Sequence, residues 1–387
     1  MVVGGLRRDG PSPLGHGLAP KGRLLILFLL LMPLLLSGCV DMMDANRDVL
    51  VYGLGLDAGA GGELVVTLHF LSPSGAAGGG TPVGSMGTGG SPSVTPLTLS
   101  GSGQTFTQAV ERLRFRVPGR IYMGDVRAIF FGEGLTRQGL KDVMDALLRE
   151  PFTINSAYVL FTRGDASRFL ATGPNGTSAV LAALSIFDGD SAGTVLLHPM
   201  TLWQLFNAVW TDYWVDWGPW VTASPQEAQV IGHVILRDGR WQAALPIGEE
   251  ATLLRSIRPG GPAQMTLPLA QGLASFRFTP LTTKARLKGS RVEVTVEGRA
   301  SLVEWKGGPE PPVSELQRLL NEAVKERMDA FLRRMYRDER IDVLNVAEKM
   351  RIQSPGGRLP ADFLQRLEDL SFRVTTRITI SDTARSR

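Results

Sequence analysis

Few side chains in this sequence are suited to covalent or metal chemistry. Cys39 is the only thiol, which excludes an internal disulfide and any site built from several cysteines. His69, His198 and His233 stand far apart, whereas metal-binding histidines come in close pairs with a carboxylate or thiolate nearby, so no metal site is expected. Glu249-Glu250 and Glu368-Asp369 could in principle exchange protons. Consecutive carboxylates on a helix point in different directions, however, and these read as solvated surface. The stretch Gly53-Leu54-Gly55-Leu56-Asp57-Ala58-Gly59 invites comparison with a dinucleotide loop. Its third glycine falls one place late, and a strand follows where a phosphate-binding helix is needed, so it reads as strand and turn. A G-x-x-x-x-G-K-[ST] phosphate loop does not occur. The chain is expected to be non-enzymatic and to carry no cofactor.

The chemistry that Cys39 itself suits is acylation. Residues 24–36, LLILFLLLMPLLL, carry no charge and follow a flank containing Arg7, Arg8, Lys21 and Arg23. As a helix this run rises about 20 Å, short of the roughly 30 Å hydrocarbon core, so it suits a signal-peptide core better than a membrane span. Leu36-Ser37-Gly38-Cys39 then looks like the lipobox of bacterial lipoproteins, whose thiol receives a diacylglyceryl group before the preceding peptide is removed. A signal anchor or buried helix with an incidental cysteine is the alternative. Two acyl chains anchor a protein stably where one does so only marginally. Cys39 is therefore read as a lipid anchor, with residues 1–38 as signal peptide and the mature chain outside the cytoplasmic membrane. The 41 basic residues outnumber the 37 acidic ones, but residues 1–38 hold much of the excess and leave a net charge of about +1. A general nucleic-acid binder would show a far stronger basic footprint, so no nucleic-acid partner is expected.

A succession of strands and helices must position these residues. The 387 residues, 43% of them hydrophobic and 20% charged, suffice for two or three domains. Residues 49–56 and 64–71 read as strands joined by a turn. Residues 75–103, dominated by Gly, Ser, Thr and Pro, can bury little and predict a flexible loop. A helix at 105–115 aligns Phe106, Ala109, Val110 and Leu113. A strand at 126–131, a helix at about 136–149, a strand at 157–162 and a short helix from Asp165 complete an alternation that implies helices packed on a sheet.

Trp203, Trp210, Trp214, Trp217 and Trp220 crowd one short segment, where Leu202, Leu205, Phe206, Val209 and Tyr213 have the spacing of an amphipathic helix. Core packing and a membrane-facing or partner-facing patch are both open for these tryptophans, since amphipathic rings suit either place. Strands at 228–236 and 239–245 predict a hairpin turning at Asp238-Gly239, followed by a short helix near 249–257. Alternation over 276–287 and 291–303 predicts an antiparallel hairpin with one wet face. Ser314, with Gln317 at the capping-box position, opens a long helix striped by Leu316, Leu319, Leu320, Ala323, Val324, Met328, Phe331, Leu332 and Met335. A strand at 372–380 closes the chain. The fold class is α+β, the last part of the chain an antiparallel sheet covered by the long helix.

The order of these segments resembles the C subunits of spore germinant receptors, the Ger(x)C lipoprotein family. The resemblance begins at Leu36-Ser37-Gly38-Cys39 and continues through Gly53-Leu54-Gly55-Leu56-Asp57, similar to the family's G-I-G-I-D strand and turn, and Phe70-Leu71-Ser72-Pro73. It is densest from Tyr122-Met123-Gly124-Asp125-Val126-Arg127 through Gly132-Glu133-Gly134-Leu135 to Leu147-Leu148-Arg149-Glu150-Pro151 and Ala157-Tyr158-Val159-Leu160. Gly232-His233-Val234-Ile235 and the terminal helix and strand also fit. Val40-Asp41-Met42-Met43 departs from the family, which has a tryptophan and a charged segment there. The resemblance implies three mixed α+β domains, at 39–190, 191–275 and 276–387, and a lipid anchor at Cys39 on the outer face of the spore inner membrane. It also implies two integral-membrane partner subunits, of A and B type, and no catalytic site. The expected role is protein–protein docking in nutrient-triggered germination. A solute-binding lipoprotein would instead show a cleft between two similar lobes, and a cell-envelope hydrolase would need a nucleophile and base that do not stand out.

Overall fold

The computed structural model describes residues 48–73, 94–117, 119–150, 155–173, 177–188, 199–211, 214–258, 263–269, 271–359 and 362–383. The expected signal peptide, Cys39, His198 and Tyr213 lie outside the described residues, as does the tract 74–93. β1 (Asp48–Ala58) and β2 (Leu64–Pro73) form an antiparallel hairpin, and β3 (Val94–Gly103) pairs with β2. α1 (Phe106–Arg114) starts under the Thr105 hydroxyl, which accepts the Gln108 N–H. β4 (Arg120–Tyr122) and β5 (Ala128–Phe131) both run parallel to β1. There follow α2 (Glu133–Gln138), α3 (Lys141–Arg149), β6 (Tyr158–Thr162), α4 (Ala166–Ala171), α5 (Ala179–Asp188), β7 (Met200–Thr201) and α6 (Leu202–Trp210). β8 (Val215–Ala223), β9 (Ala228–Arg237) and β10 (Arg240–Pro246) complete a sheet ordered β10-β9-β8-β6-β5-β1-β2-β3, with β4 beside β1 and β7 beside β6.

Helices cover both faces of this sheet. Ile129 and Phe131 share a core with α1, α3 and α6, while Ala128, Phe130 and Leu160 pack on the other side against α4 and α5. A strand buried on both faces has no wet side, which explains the uninterrupted apolar run Ala128-Ile129-Phe130-Phe131.

Three expectations change here. Part of the glycine-rich tract is strand: β3 is paired along its whole length, because Gly101 and Gly103 let α1 lie close against it. A Cβ on Gly101 would stand 2.8 Å from Leu113 Cγ, and one on Gly103 2.7 Å from the Ala109 nitrogen. The helix expected over 136–149 is two, α2 and α3, because Gly139 at φ 120° interrupts it. The domain boundary expected at 190/191 runs through a continuous sheet, since β8 pairs in parallel with β6.

The second sheet begins after α7 (Glu249–Ser256) with β11 (Ala263–Leu269), β12 (Gly272–Lys288) and β13 (Arg291–Gly307). α8 (Val313–Arg333), with a π-helical turn at Arg334–Asp338, then α9 (Val346–Gln353) and α10 (Phe363–Glu368), lead to β14 (Ser371–Thr383). The order is β11-β12-β13-β14, and β14 runs parallel to β13. The sheet expected to be antiparallel is thus mixed, because the helices between β13 and β14 form the crossover that parallel pairing requires. Every residue of the expected α8 stripe is buried, most of them against this sheet. Each fully buried Leu or Phe contributes about 1.5–3 kcal/mol, which fixes α8 in place. Val215, Trp217, Ile235 and Leu245 of the first sheet belong to the same core.

The expected capping box at Ser314 does not form, because the helix already starts at Val313 behind Pro312. Gln317 turns instead to the edge of β14, where its Oε1 accepts the Ile380 N–H at 3.0 Å. One turn on, Asn321 donates to the Ile378 carbonyl at 2.8 Å and accepts the Ile378 N–H at 2.9 Å. Side-chain amides of α8 thereby occupy backbone groups that an edge strand otherwise leaves open.

Candidate interaction surfaces

The sequence leaves core packing and an outward patch both open for the five tryptophans, and the fold divides them between the two. α6 starts with a capping box in which the Thr201 hydroxyl accepts the Gln204 N–H and Gln204 Oε1 accepts the Thr201 N–H. The helix buries Leu202, Leu205, Ala208 and Val209, which turns Trp203 and Trp210 outward at 52% and 44% exposure. Phe206 lies between them, its ring centroid 5.7 Å from Trp203 and 6.1 Å from Trp210. Lys141 Nζ stands 4.8 Å above the Trp210 ring. Trp203, Phe206 and Trp210 thus form a continuous aromatic stripe with a cation at one end. Trp217, on β8, is fully buried and takes no part in any outer patch. Trp220 is half-buried and meets Trp241 edge-on at 5.9 Å.

Beside the stripe lies a cleft of about 450 Å³ lined by Gln204, Asn207, Trp214, Asp216, Arg258 and Glu348, among others. Asp216 is buried and accepts from the Trp217 N–H at 2.7 Å and from the Arg258 guanidinium. Burial pushes the Asp216 carboxyl up in pKa, against the opposing pull of Arg258. Arg258 also stacks 4.4 Å over Trp217 and 6.0 Å from Trp214. The remaining contacts of the tryptophan cluster are therefore internal, and the stripe on α6 is its outward part.

The residues considered for chemistry are held in structural roles. His69 is buried on β2, with Nε2 2.7 Å from Ser178 Oγ, and burial lowers its pKa to about 4. His233 is buried on β9. Glu249 and Glu250 pair with Arg327 and Arg334 respectively, tying α7 to α8, and Glu368 pairs with Arg340. Among the described residues, no group of three or more His, Cys, Asp or Glu side chains is placed to hold a metal ion. Among the same residues, no helix is long and apolar enough to cross a membrane.

Sequence reasoning missed two buried carboxylates that organise helix starts. Asp57 accepts the Ala166 N–H at 2.7 Å and the Ser167 N–H at 2.8 Å, so it caps α4 from the end of β1. This gives the Gly53-Leu54-Gly55-Leu56-Asp57 stretch a physical reason. Gly53 and Gly55 make room for Val180 and Leu170, each of which would stand under 3 Å from an added Cβ, and Asp57 follows to hold the helix beneath. Asp342 likewise accepts the Val346 N–H at 2.8 Å, the Ala347 N–H at 2.7 Å and the Tyr336 hydroxyl, anchoring α9. Burial raises the pKa of both carboxyls, and in each the helix N–H donors pull the other way.

The fold and its surfaces define a mixed α+β protein whose first sheet carries a spore germination domain: residues 41–213 match the family described as the spore germination protein N-terminal domain. The crystal structure of the GerBC protein is similar at a TM-score of 0.52 and 14% identity, covering 85% of this chain and 97% of that one. No curated protein matches the sequence. Residues 41–213 thus match a spore germination domain, and the likeness to the GerBC structure extends over the fold of most of the chain.

Proposed function

We propose that this chain is the C-type subunit of a spore germinant receptor, tethered by lipid at Cys39 and acting through docking in place of bond-making. The observation that carries the docking role is the aromatic stripe on α6, where Trp203 and Trp210 are exposed with half-buried Phe206 between them, on a helix whose opposite face is fully buried. Aromatic side chains anchor protein interfaces through large rigid contact area, and two exposed tryptophans bridged by a third ring mark a contact site. The integral-membrane A-type and B-type subunits are its partners in this reading. Tethering to the membrane that holds them raises the effective concentration of weak contacts.

The anchor reading is supported by the uncharged run 24–36 ending in Leu36-Ser37-Gly38-Cys39. The site of action is then the outer face of the spore inner membrane. Two similar lobes around a cleft, the mark of a solute binder, are not the architecture of the described residues: one sheet has ten strands and the other four. The test is Cys39→Ala. It is expected to release the protein from membranes and impair nutrient-triggered germination; full membrane retention with normal germination contradicts the reading.

A further inference from the structure

The inner face of the second sheet is apolar and covered by α8, but its outer face has an uneven charge. Along β12, β13 and β14 the outward positions form cross-strand rows. Lys288 stands directly opposite Arg291; Arg286 and Arg373 flank Glu293; Arg377 flanks Glu297; and Arg299 sits opposite Thr379. Lys284 adds a seventh cation, bonded to Glu297 at 2.6 Å. Between residues 282 and 299 of the hairpin and 371–379 of β14, seven cations on this face meet only the two carboxylates of Glu293 and Glu297. Both carboxylates are already engaged, Glu293 by Lys288 at 2.8 Å and Glu297 by Lys284 and, at 3.8 Å, Arg377. Their pKa values fall accordingly.

A face needing only solvation has no reason to concentrate one sign, because like charges directly across a strand pair destabilise it. An excess of five on a chain whose mature net charge is about +1 is a strong local asymmetry. The other outward residues of this stretch are Thr282, Thr295, Ser371, Thr375 and Thr379, with no aromatic or aliphatic side chain, while the exposed Leu273 and Val303 lie toward the other ends of β12 and β13. Protein interfaces centre on aromatic and apolar anchors and are poor in lysine. A stacking platform for nucleic-acid bases needs aromatic rings. What remains is a laterally extended anionic layer, recognised by charge alone.

The geometry points to the outer face of β12, β13 and β14 as a docking surface for the anionic headgroups of a phospholipid bilayer. It rests on the reading that Cys39 holds the chain at that bilayer, and supplies the second signal that converts a lipid tether into a defined orientation. A basic surface beside an acyl anchor is the usual combination for stable membrane seating. The stripe on α6 then remains for the partner subunits.

The test uses the full lipidated chain carrying Thr375→Cys. Cys39 is the only native cysteine, so acylation there leaves the new thiol as the single labelling site. The label serves as energy donor to a headgroup acceptor in vesicles of phosphatidylglycerol with phosphatidylcholine, or of phosphatidylcholine alone. Strong transfer is expected only with the anionic vesicles. It should be lost in about 1 M salt, where the screening length is about 3 Å. Neutralising Arg286, Arg373 and Arg377 to Gln is expected to lower occupancy of the seated orientation by about a hundredfold, roughly fivefold for each cation. Equal transfer in both vesicle types overturns the proposal, as does salt-insensitive transfer or capture of an acidic polypeptide by this face with no lipid dependence. Failure of the tether itself reads differently: the protein would not float with phosphatidylcholine vesicles at all.

Discussion

Acid should weaken this fold through one identifiable side chain. His69 is completely buried, its Nε2 bonded to Ser178, and its Nδ1 has no hydrogen-bond partner among the described residues. Burial lowers its pKa from 6.5 to about 4. Above the unfolded value the ring is neutral in both states and costs nothing. As pH falls below about 6.5, the unfolded chain binds a proton that the folded chain refuses, so stability falls by up to about 1.4 kcal/mol per pH unit and levels off below about 4. At about pH 4.5 the loss amounts to about 2.5 kcal/mol. Urea unfolding of the wild type and of His69→Gln, at about pH 7 and about pH 4.5, isolates this contribution because the other titrating groups cancel. The wild type should lose about 2.5 kcal/mol more than the variant over that interval. Identical losses would refute the assignment of a neutral, desolvated imidazole at the junction of β2 and the Ser178 turn.

Three further outcomes follow from named contacts. Asp57→Ala removes the acceptor of two helix N–H groups under β1 and should destabilise the protein by about 2–3 kcal/mol in thermal or urea unfolding; a loss under about 0.5 kcal/mol contradicts its capping role. Asn321→Ala frees both backbone groups of Ile378 and should cost about 1–2 kcal/mol while raising hydrogen exchange at Ile378, with unchanged exchange as the opposing result. Trp203→Ser with Trp210→Ser touches exposed rings, so stability should shift by no more than about 0.5 kcal/mol per site, yet co-purification with the membrane subunits should be lost; retained co-purification removes the stripe from the docking account.

The elements that the sequence made plain were those with a clear period. The α8 stripe from Leu316 to Met335 is buried as its spacing predicted, and the hairpin turning at Asp238-Gly239 forms as read. What stayed hidden was set by distant packing. Gly101 and Gly103 looked like loop residues because nothing local announces that α1 must lie across them. Val215–Ala223 reads as an aromatic cluster in the sequence and becomes a strand through pairing with β6 and β9. Gln317 carried the signature of a cap and serves a strand 63 residues further along. Of the candidate interaction surface, the aromatic density was legible but not its division, since only the packing of α6 and β8 decides that Trp203 and Trp210 face out while Trp217 faces in. The basic face was invisible for a related reason: its cations come from three strands and sum only once their register is known.

The proposed tether depends on the fate of one thiol, Cys39. Mass spectrometry of the native protein from spore membranes should find an amino-terminal peptide beginning at Cys39 and carrying diacylglyceryl on sulfur. A free Cys39 thiol within an uncut chain that still includes residues 24–38 would contradict it.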